Sequence, residues 1–148
     1  MNGGWLLDTS VLSAFAPGKP PIPEEQASFL RANSSRLFIP CIAVAELEQG
    51  ICKLRRAGGA KRAEHLAQWL NGLVQDYAER MLPLDAAASR IAGQIADEAV
   101  AVGRHPGFSD VAIAALARQN GLTVLTRNLR HFAPLGVDCA DPFEKLPG

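Results

Sequence analysis

Three carboxylates that are far apart in the chain lie beside apolar segments, where an isolated charge is costly. Asp8 directly follows an apolar run, Glu46 lies inside another, and Asp110 precedes a third. Burying a carboxylate on an apolar element is unfavourable unless something pairs with it. A hard divalent cation is the natural partner of several carboxylates. The three residues therefore predict a cation site, provided that the fold brings them together.

Each of these carboxylates also has a purely structural interpretation. Asp8 is suited to cap a following helix, and Glu46 is an acid of the kind that the helix dipole favours in a first turn. Asp110 competes with Ser109 to cap its own helix. Asp85 is assigned to capping alone, because the run that it begins, Asp-Ala-Ala-Ala-Ser, is a clear helix start.

Strands and helices alternate along the sequence. The apolar runs predict strands at 5–7, 36–39 and 122–126, an extended piece at 81–84 and a last short strand at 136–139. Apolar spacings of three and four predict helices at 23–32, 42–56, 61–77, 85–102 and from 109 or 110 to about 121. This alternation is typical of α/β proteins with a central parallel sheet that is flanked by helices on both faces.

The predicted sheet gives the three acids a common location. In an open parallel sheet, the ligand site lies beyond the carboxyl ends of the strands. Asp8 follows the first strand, and Glu46 lies in the first turns of the helix after the second strand. Asp110 begins the helix before strand 122–126, and the segment 126–128 leaves that strand. We therefore expect all four pieces to meet at one edge of the sheet.

Charge is balanced overall but unevenly placed. The chain has 15 basic and 15 acidic residues and a formal net charge of zero, so no global field attracts nucleic acid or membrane. Segment 53–62 nevertheless holds basic residues and no acid. This basic ridge is interpreted either as a solvated corner between two helices or as a contact for a phosphate backbone.

Length and composition indicate one domain in a reducing compartment. The 148 residues, 48% of them apolar, fit a single domain, residues 1–148, with a core from about residue 5 to 143. The three cysteines form no C-x-x-C pair and are odd in number, which favours a cytoplasmic location. No basic leader precedes Asp8 and no apolar run approaches membrane length, so we expect no membrane association.

Four segments together resemble the successive motifs of the PIN-domain family, and most closely its VapC-type toxins. The segments are 6–13, 43–50, 110–117 and 122–132, and they follow in order over nearly the whole chain. The resemblance implies a compact α/β fold and an RNA-cleaving activity. It further implies that the protein is the toxin of a toxin–antitoxin pair. It also implies that Asp8, Glu46 and Asp110 are catalytic residues that bind Mg²⁺ or Mn²⁺.

The chain departs from the family pattern after its last core strand. The family often places a further aspartate there, where this sequence has Asn128 and His131. Asn128 still offers a carbonyl oxygen to a hard cation. His131 is a softer ligand that suits Mn²⁺ better than Mg²⁺, and it is equally interpretable as a solvent-exposed loop residue. Thr9 and Ser10 are predicted to hydrogen-bond an acid from outside the ligand set.

An acidic site repels RNA, so binding has to come from cations elsewhere. The predicted contacts fall into two sets. The first lies in the basic ridge, and the second lies nearer the expected edge of the sheet; they are Arg55, Arg56, Lys61 and Arg62, and Arg104, Arg127 and Arg130. Such contacts position a nucleic-acid backbone and do not read its sequence. The resemblance also implies a homodimer and a cognate antitoxin, with an apolar antitoxin segment in a groove between the two helices that flank Gly58 and Gly59.

Two other classes of protein share some of these sequence features. The replaced fourth acid leaves open a PIN-like scaffold that binds RNA or protein without cleaving. A receiver domain needs a lysine after a late strand, where this chain has Arg127, and a haloacid-type phosphatase usually has an acid at the position of Ser10. The cysteines and histidines lack zinc-ligand spacing. A metal-dependent endoribonuclease is therefore the predicted function, with the scaffold as its alternative.

Overall fold

Five short strands form one parallel sheet in a computed structural model that describes residues 3–147. They are β1 (Trp5–Leu7), β2 (Leu37–Pro40), β3 (Met81–Leu82), β4 (Thr123–Leu125) and β5 (Cys139–Ala140). Their order across the sheet is β3-β2-β1-β4-β5, and every pairing is parallel. The strand that carries Asp8 at its carboxyl end is therefore the central one.

Seven helices connect the strands within the described part of the chain. They are α1 (Thr9–Ala14), α2 (Glu24–Ala32), α3 (Cys41–Arg56), α4 (Ala60–Asp76), α5 (Ala86–Ala101), α6 (Phe108–Asn120) and α7 (Leu129–Phe132). The five predicted helices are confirmed, with ends that shift by one or two residues. Helices α1 and α7 were not predicted, because six and four residues are too few to show a helical period.

Side chains of the central strands alternate between two cores, which confirms helices on both faces. Leu6 and Val124 pack into the core beneath α5 and α6. Trp5, Leu7 and Leu125 face the opposite core, to which α1, α2 and α3 contribute. A smaller apolar cluster lies between α3 and α4. Each large apolar side chain that is buried in these layers contributes about 1.5–3 kcal/mol to folding.

Helix α6 is the most buried helix and fixes the position of Asp110. All seven residues from Val111 to Ala117 are buried. Its small alanines permit close packing against α5, and Gly121 ends it in the left-handed conformation, with φ 64°. The first residue is Phe108 and Gly107 occupies the cap position, so the expectation that Ser109 or Asp110 caps this helix is wrong.

Other boundaries differ from the predictions for local reasons. Strand β2 includes Pro40, and β5 begins at Cys139 because Gly136 ends a 3-10 turn with φ 71° instead of entering a strand. The predicted cap is confirmed at Asp85, whose side chain accepts a 2.8 Å hydrogen bond from the N–H of Ala88. No helix among residues 3–147 is long and apolar enough to cross a membrane.

A glycine permits the close approach of the chain before β1 to the chain before β2. Gly4 has φ 139°, and a Cβ atom there would lie 2.2 Å from the carbonyl oxygen of Arg36. No other residue type fits that contact without moving the backbone. This contact precedes the pairing of Trp5 with Leu37 that aligns the carboxyl ends of β1 and β2.

A candidate acidic site at the carboxyl edge of the sheet

Strand register places Asp8 beside Thr126. Leu7 pairs with Leu125, so the residues that follow each strand emerge side by side. The hydroxyl of Thr126 donates to Oδ2 of Asp8 at 2.8 Å, and the hydroxyl of Ser10 donates to the same oxygen at 2.8 Å. Asp8 is 5% exposed and Thr126 is fully buried. Two buried hydroxyl groups thus fix the orientation of this carboxylate.

The other carboxylate oxygen of Asp8 is free to bind a ligand. Within residues 3–147 no group donates a hydrogen bond to Oδ1, and no buried side-chain oxygen or nitrogen is left without a partner. Oδ1 therefore faces the solvent-accessible edge of the sheet. Asp8 occupies the cap position of α1, but its side chain makes no capping hydrogen bond, so the capping interpretation is wrong.

Glu46 is tied to the same segment through Thr9. It is the sixth residue of α3, which places it beyond the first turn and removes the interpretation as a first-turn acid. The hydroxyl of Thr9 donates to Oε1 of Glu46 at 2.5 Å. Because Thr9 follows Asp8 directly, this hydrogen bond holds Glu46 close to the end of β1. Thr9 and Ser10 thus each donate a hydrogen bond to one of the three acids.

The environment of Asp110 shows that all three acids share one region. Burial raises the pKa of the Asp110 carboxyl above its ordinary value, and the negative charge of Asp8 raises this pKa further. His131 lowers the pKa of Asp110, and Glu46 again raises it. These effects of Asp8 and Glu46 on Asp110 indicate that the three acids lie at the same edge of the sheet, within reach of one another's charge.

The two replaced positions differ in their contacts. Nδ1 of His131 lies 3.3 Å from Oδ2 of Asp110, which places this residue at the site. Asn128 is exposed, and its backbone N–H donates to the hydroxyl of Thr126 at 2.9 Å. The buried Thr126 hydroxyl was missed by the sequence analysis as a site group. Its position directly after a core strand was the available signal.

The carboxylate oxygens at this edge are ligands that a hard cation prefers, but they do not surround one ion position. Three carboxylates lie near each other, and one of them has a free oxygen that is held in place. Within residues 3–147, however, no group of three or more His, Cys, Asp or Glu side chains is arranged so that it could hold a metal ion as it stands. In this structure the three acids are therefore not arranged around one ion.

The predicted basic residues fall into two groups. Four of them lie near the acids: Arg62 lines a cavity with Glu46, Arg104 and Arg130 line one with Asp110, and Arg127 contacts Ser10. The backbone N–H of Arg127 donates to Ser10 at 3.0 Å, and its guanidinium lies 5.0 Å from the centre of the Phe143 ring. The remaining three, at the end of α3 and the start of α4, are exposed and line none of the cavities described here; they are Arg55, Arg56 and Lys61.

Parallel strands with acids gathered beyond their carboxyl ends define an α/β protein that acts on a ligand at that edge of the sheet. The profile of the PIN-domain family matches residues 5–135. The chain therefore belongs to the PIN-domain family, as the sequence motifs implied.

Proteins of similar sequence or structure match this chain over almost its full length. The chain is 31% identical to toxin FitB of Neisseria gonorrhoeae, over 93% of this chain and 97% of FitB. It is 29% identical to VapC ribonuclease Y4jK of Sinorhizobium fredii, over 94% and 97% of the two chains. A crystal structure of FitAcB from Neisseria gonorrhoeae superposes with a TM-score of 0.81 at 31% identity, over 94% and 98% of the chains. A structure of DNA-bound VapBC from Salmonella typhimurium gives 0.79 at 29% identity, over 95% and 98%.

Proposed function

We propose that this protein is a metal-dependent endoribonuclease that acts as the toxin of a toxin–antitoxin pair. The observation that carries the proposal is the buried Asp8 carboxylate, with one oxygen held by two hydroxyl groups and the other free at the edge where Glu46 and Asp110 also lie. Relatives with the names toxin FitB and VapC ribonuclease support the same activity.

Asp8, Glu46 and Asp110 are the residues that would hold Mg²⁺ or Mn²⁺, with His131 beside Asp110 as a further donor. A bound divalent cation supplies neutralisation of charge on the phosphodiester and activation of a water nucleophile. Ser10 and Thr126 keep the Asp8 carboxylate in one orientation, and Thr9 does the same for Glu46. These hydroxyl groups reduce the reorganisation that ligand binding requires.

The basic residues would position the RNA backbone. Arg127 lies on the Ser10 side of the site and Arg62 on the Glu46 side, so a strand that crosses the edge of the sheet passes between cations. Neutralising Arg55 and Arg56 together is expected to weaken RNA binding and to flatten its salt dependence. An unchanged salt slope would identify the basic ridge as solvated surface.

A groove between α3 and α4 suits the antitoxin. A cavity of about 260 Å³ is lined there by apolar side chains and reaches both Glu46 and Arg62; its apolar wall comprises Leu47, Ile51, Leu54, Leu66 and Trp69. An apolar antitoxin segment in this groove would end next to the acids and block them. Solved VapBC and FitAB complexes of similar chains support such a partner.

We also propose a cytoplasmic homodimer, as the family resemblance implies. Val100, Val102 and Phe108 are large apolar side chains that are at least half exposed near the junction of α5 and α6. Exposed apolar side chains on neighbouring elements are suited to a protein–protein contact. Light scattering on the purified protein would measure the dimer mass, and Phe108→Ser would lower it towards that of a monomer.

The function is tested by incubating the purified protein with a mixed RNA pool. Cleavage is expected with Mn²⁺ or Mg²⁺ and should stop when EDTA is added. The opposite outcome, with no cleavage of any RNA and no binding of Mn²⁺ at millimolar concentration, would favour the scaffold without catalytic activity. That alternative is supported by Asn128, by His131 and by the open arrangement of the acids.

A further inference from the structure

A cavity of about 370 Å³ opens on the Asp110 side of the acidic site. It is enclosed by the loop before α6 and by α7, and its lining includes Arg104, His105, Arg130 and His131. Among the described residues that line it, Asp110 is the one acid. We name this space the Arg104–Arg130 cavity. Its lining thus carries two arginines against one acid, although the chain as a whole is neutral.

Both arginines that line the cavity have uncommitted guanidinium groups. Within residues 3–147, neither Arg104 nor Arg130 forms an ion pair or a side-chain hydrogen bond. The guanidinium group stays charged at any physiological pH, and its planar donors match the oxygens of a phosphate. Two such groups on one concave surface create a local positive potential that attracts an anion.

The backbone holds both arginines in place relative to the acids. The N–H of Arg104 donates to the carbonyl oxygen of Ala99 at 2.8 Å, which fastens the loop to the end of α5. Arg130 lies in α7 between Leu129 and His131, and His131 contacts Asp110. Phe132 is fully buried and anchors this short helix. A group bound by Arg130 within this cavity would therefore lie beside Asp110.

We propose that the Arg104–Arg130 cavity binds a phosphate of the RNA strand next to the phosphodiester at the acidic site. This inference rests on the proposed ribonuclease function and adds the place where one flank of the substrate is held. The volume lies in the range of small-ligand sites, about 300–1,000 Å³, and suits one nucleotide unit. Because phosphate contacts carry no base information, the cavity sets the register of the strand and not its sequence.

The test uses the full chain in EDTA with a six-nucleotide 2′-O-methyl oligoribonucleotide as the probe, so that binding is measured without cleavage. Fluorescence anisotropy over a range of salt concentrations gives Kd and its salt slope. Arg104→Gln and Arg130→Gln are each expected to weaken binding about tenfold and to reduce the slope by about 0.7. The matched control is Arg90→Gln, because Arg90 is exposed on α5 and does not line the cavity.

Several results would overturn the proposal. Unchanged Kd and slope in both variants, an equal loss in Arg90→Gln, or no binding of the probe by the wild-type protein would each do so. A loss of affinity for a polyglutamate peptide but not for the oligonucleotide would assign the cavity to a protein partner instead. If the arginine-dependent binding is found but no RNA is cleaved with Mn²⁺, the phosphate site stands and the nuclease proposal fails.

Discussion

Asp8 and Asp110 lie at the same edge of the sheet but are supported in opposite ways. Asp8 follows the central strand, is almost fully buried and receives two hydroxyl donors on one oxygen. Asp110 lies in the first turn of α6, is only partly buried and has a raised pKa, because burial and the charge of Asp8 disfavour its ionised form. One carboxylate is thus pre-oriented by the fold, whereas the ionised form of the other is disfavoured by its surroundings.

The largest effect is expected for Asp8→Asn, which keeps the shape of the Asp8 side chain and removes its charge. RNA cleavage in Mn²⁺ should fall by at least about a hundredfold, because even residues that only support a ligand change activity by 10–100-fold. The control is Asp97→Asn, since Asp97 is exposed on α5. Cleavage at the wild-type rate by Asp8→Asn, with its fold verified by circular dichroism, would remove Asp8 from the mechanism.

Removing one hydroxyl donor tests whether its hydrogen bond supports the Asp8 carboxylate. Thr126→Val should lower cleavage by about 10–100-fold and reduce the free energy of unfolding by about 1–3 kcal/mol, because buried hydrogen bonds are lost. Initial rates on a labelled RNA and urea unfolding measure the two effects. Thr126→Ser retains the hydroxyl and should restore most of the activity. If valine and serine give the same rate, the hydroxyl does not support Asp8.

An added acid on the Asp110 side should strengthen cation binding. His131→Asp places a second carboxylate where the imidazole now contacts Asp110, so its Mn²⁺ affinity, measured by calorimetry, should rise on the order of tenfold. Asn128→Asp is the matched comparison, and its gain should be smaller because Asn128 is exposed. A larger gain in affinity in Asn128→Asp would indicate that the cation binds nearer to Asp8 than to Asp110.

The smallest expected effect concerns the stability of the metal-free protein. Asp110→Asn and Asp8→Asn should change the free energy of unfolding in opposite directions. The folded pKa of Asp110 is raised, so its ionised form weakens the fold at neutral pH, and this penalty disappears below the unfolded pKa. Asp110→Asn should therefore increase the free energy of unfolding, by less than about 1 kcal/mol because solvent screens the charge.

Asp8→Asn should instead lower the free energy of unfolding by about 1 kcal/mol, since charge-assisted hydrogen bonds become neutral ones. Urea unfolding in EDTA at pH 7 measures both variants against the wild type. Changes of the same sign in the two variants would contradict the comparison between the two carboxylates.

Local patterns were sufficient to predict most of the fold. Three features depend only on neighbours in sequence and can therefore be predicted from it. They are the apolar run before Asp8, the helical spacing in α3 to α5 and the cap at Asp85. The start of α6 was misplaced because Gly107 offers no side-chain capping signal. Helices α1 and α7 were missed because each is shorter than two helical turns.

The sequence by itself determined the three acids, their order and the sheet that unites them, because apolar periodicity and chain order are encoded residue by residue. Only the tertiary structure decided that Thr126 donates to Asp8, that His131 rather than Asn128 contacts Asp110, and that Arg104 and Arg130 line one cavity. Those contacts arise from strand register and helix packing between segments distant in sequence, and no local pattern records them.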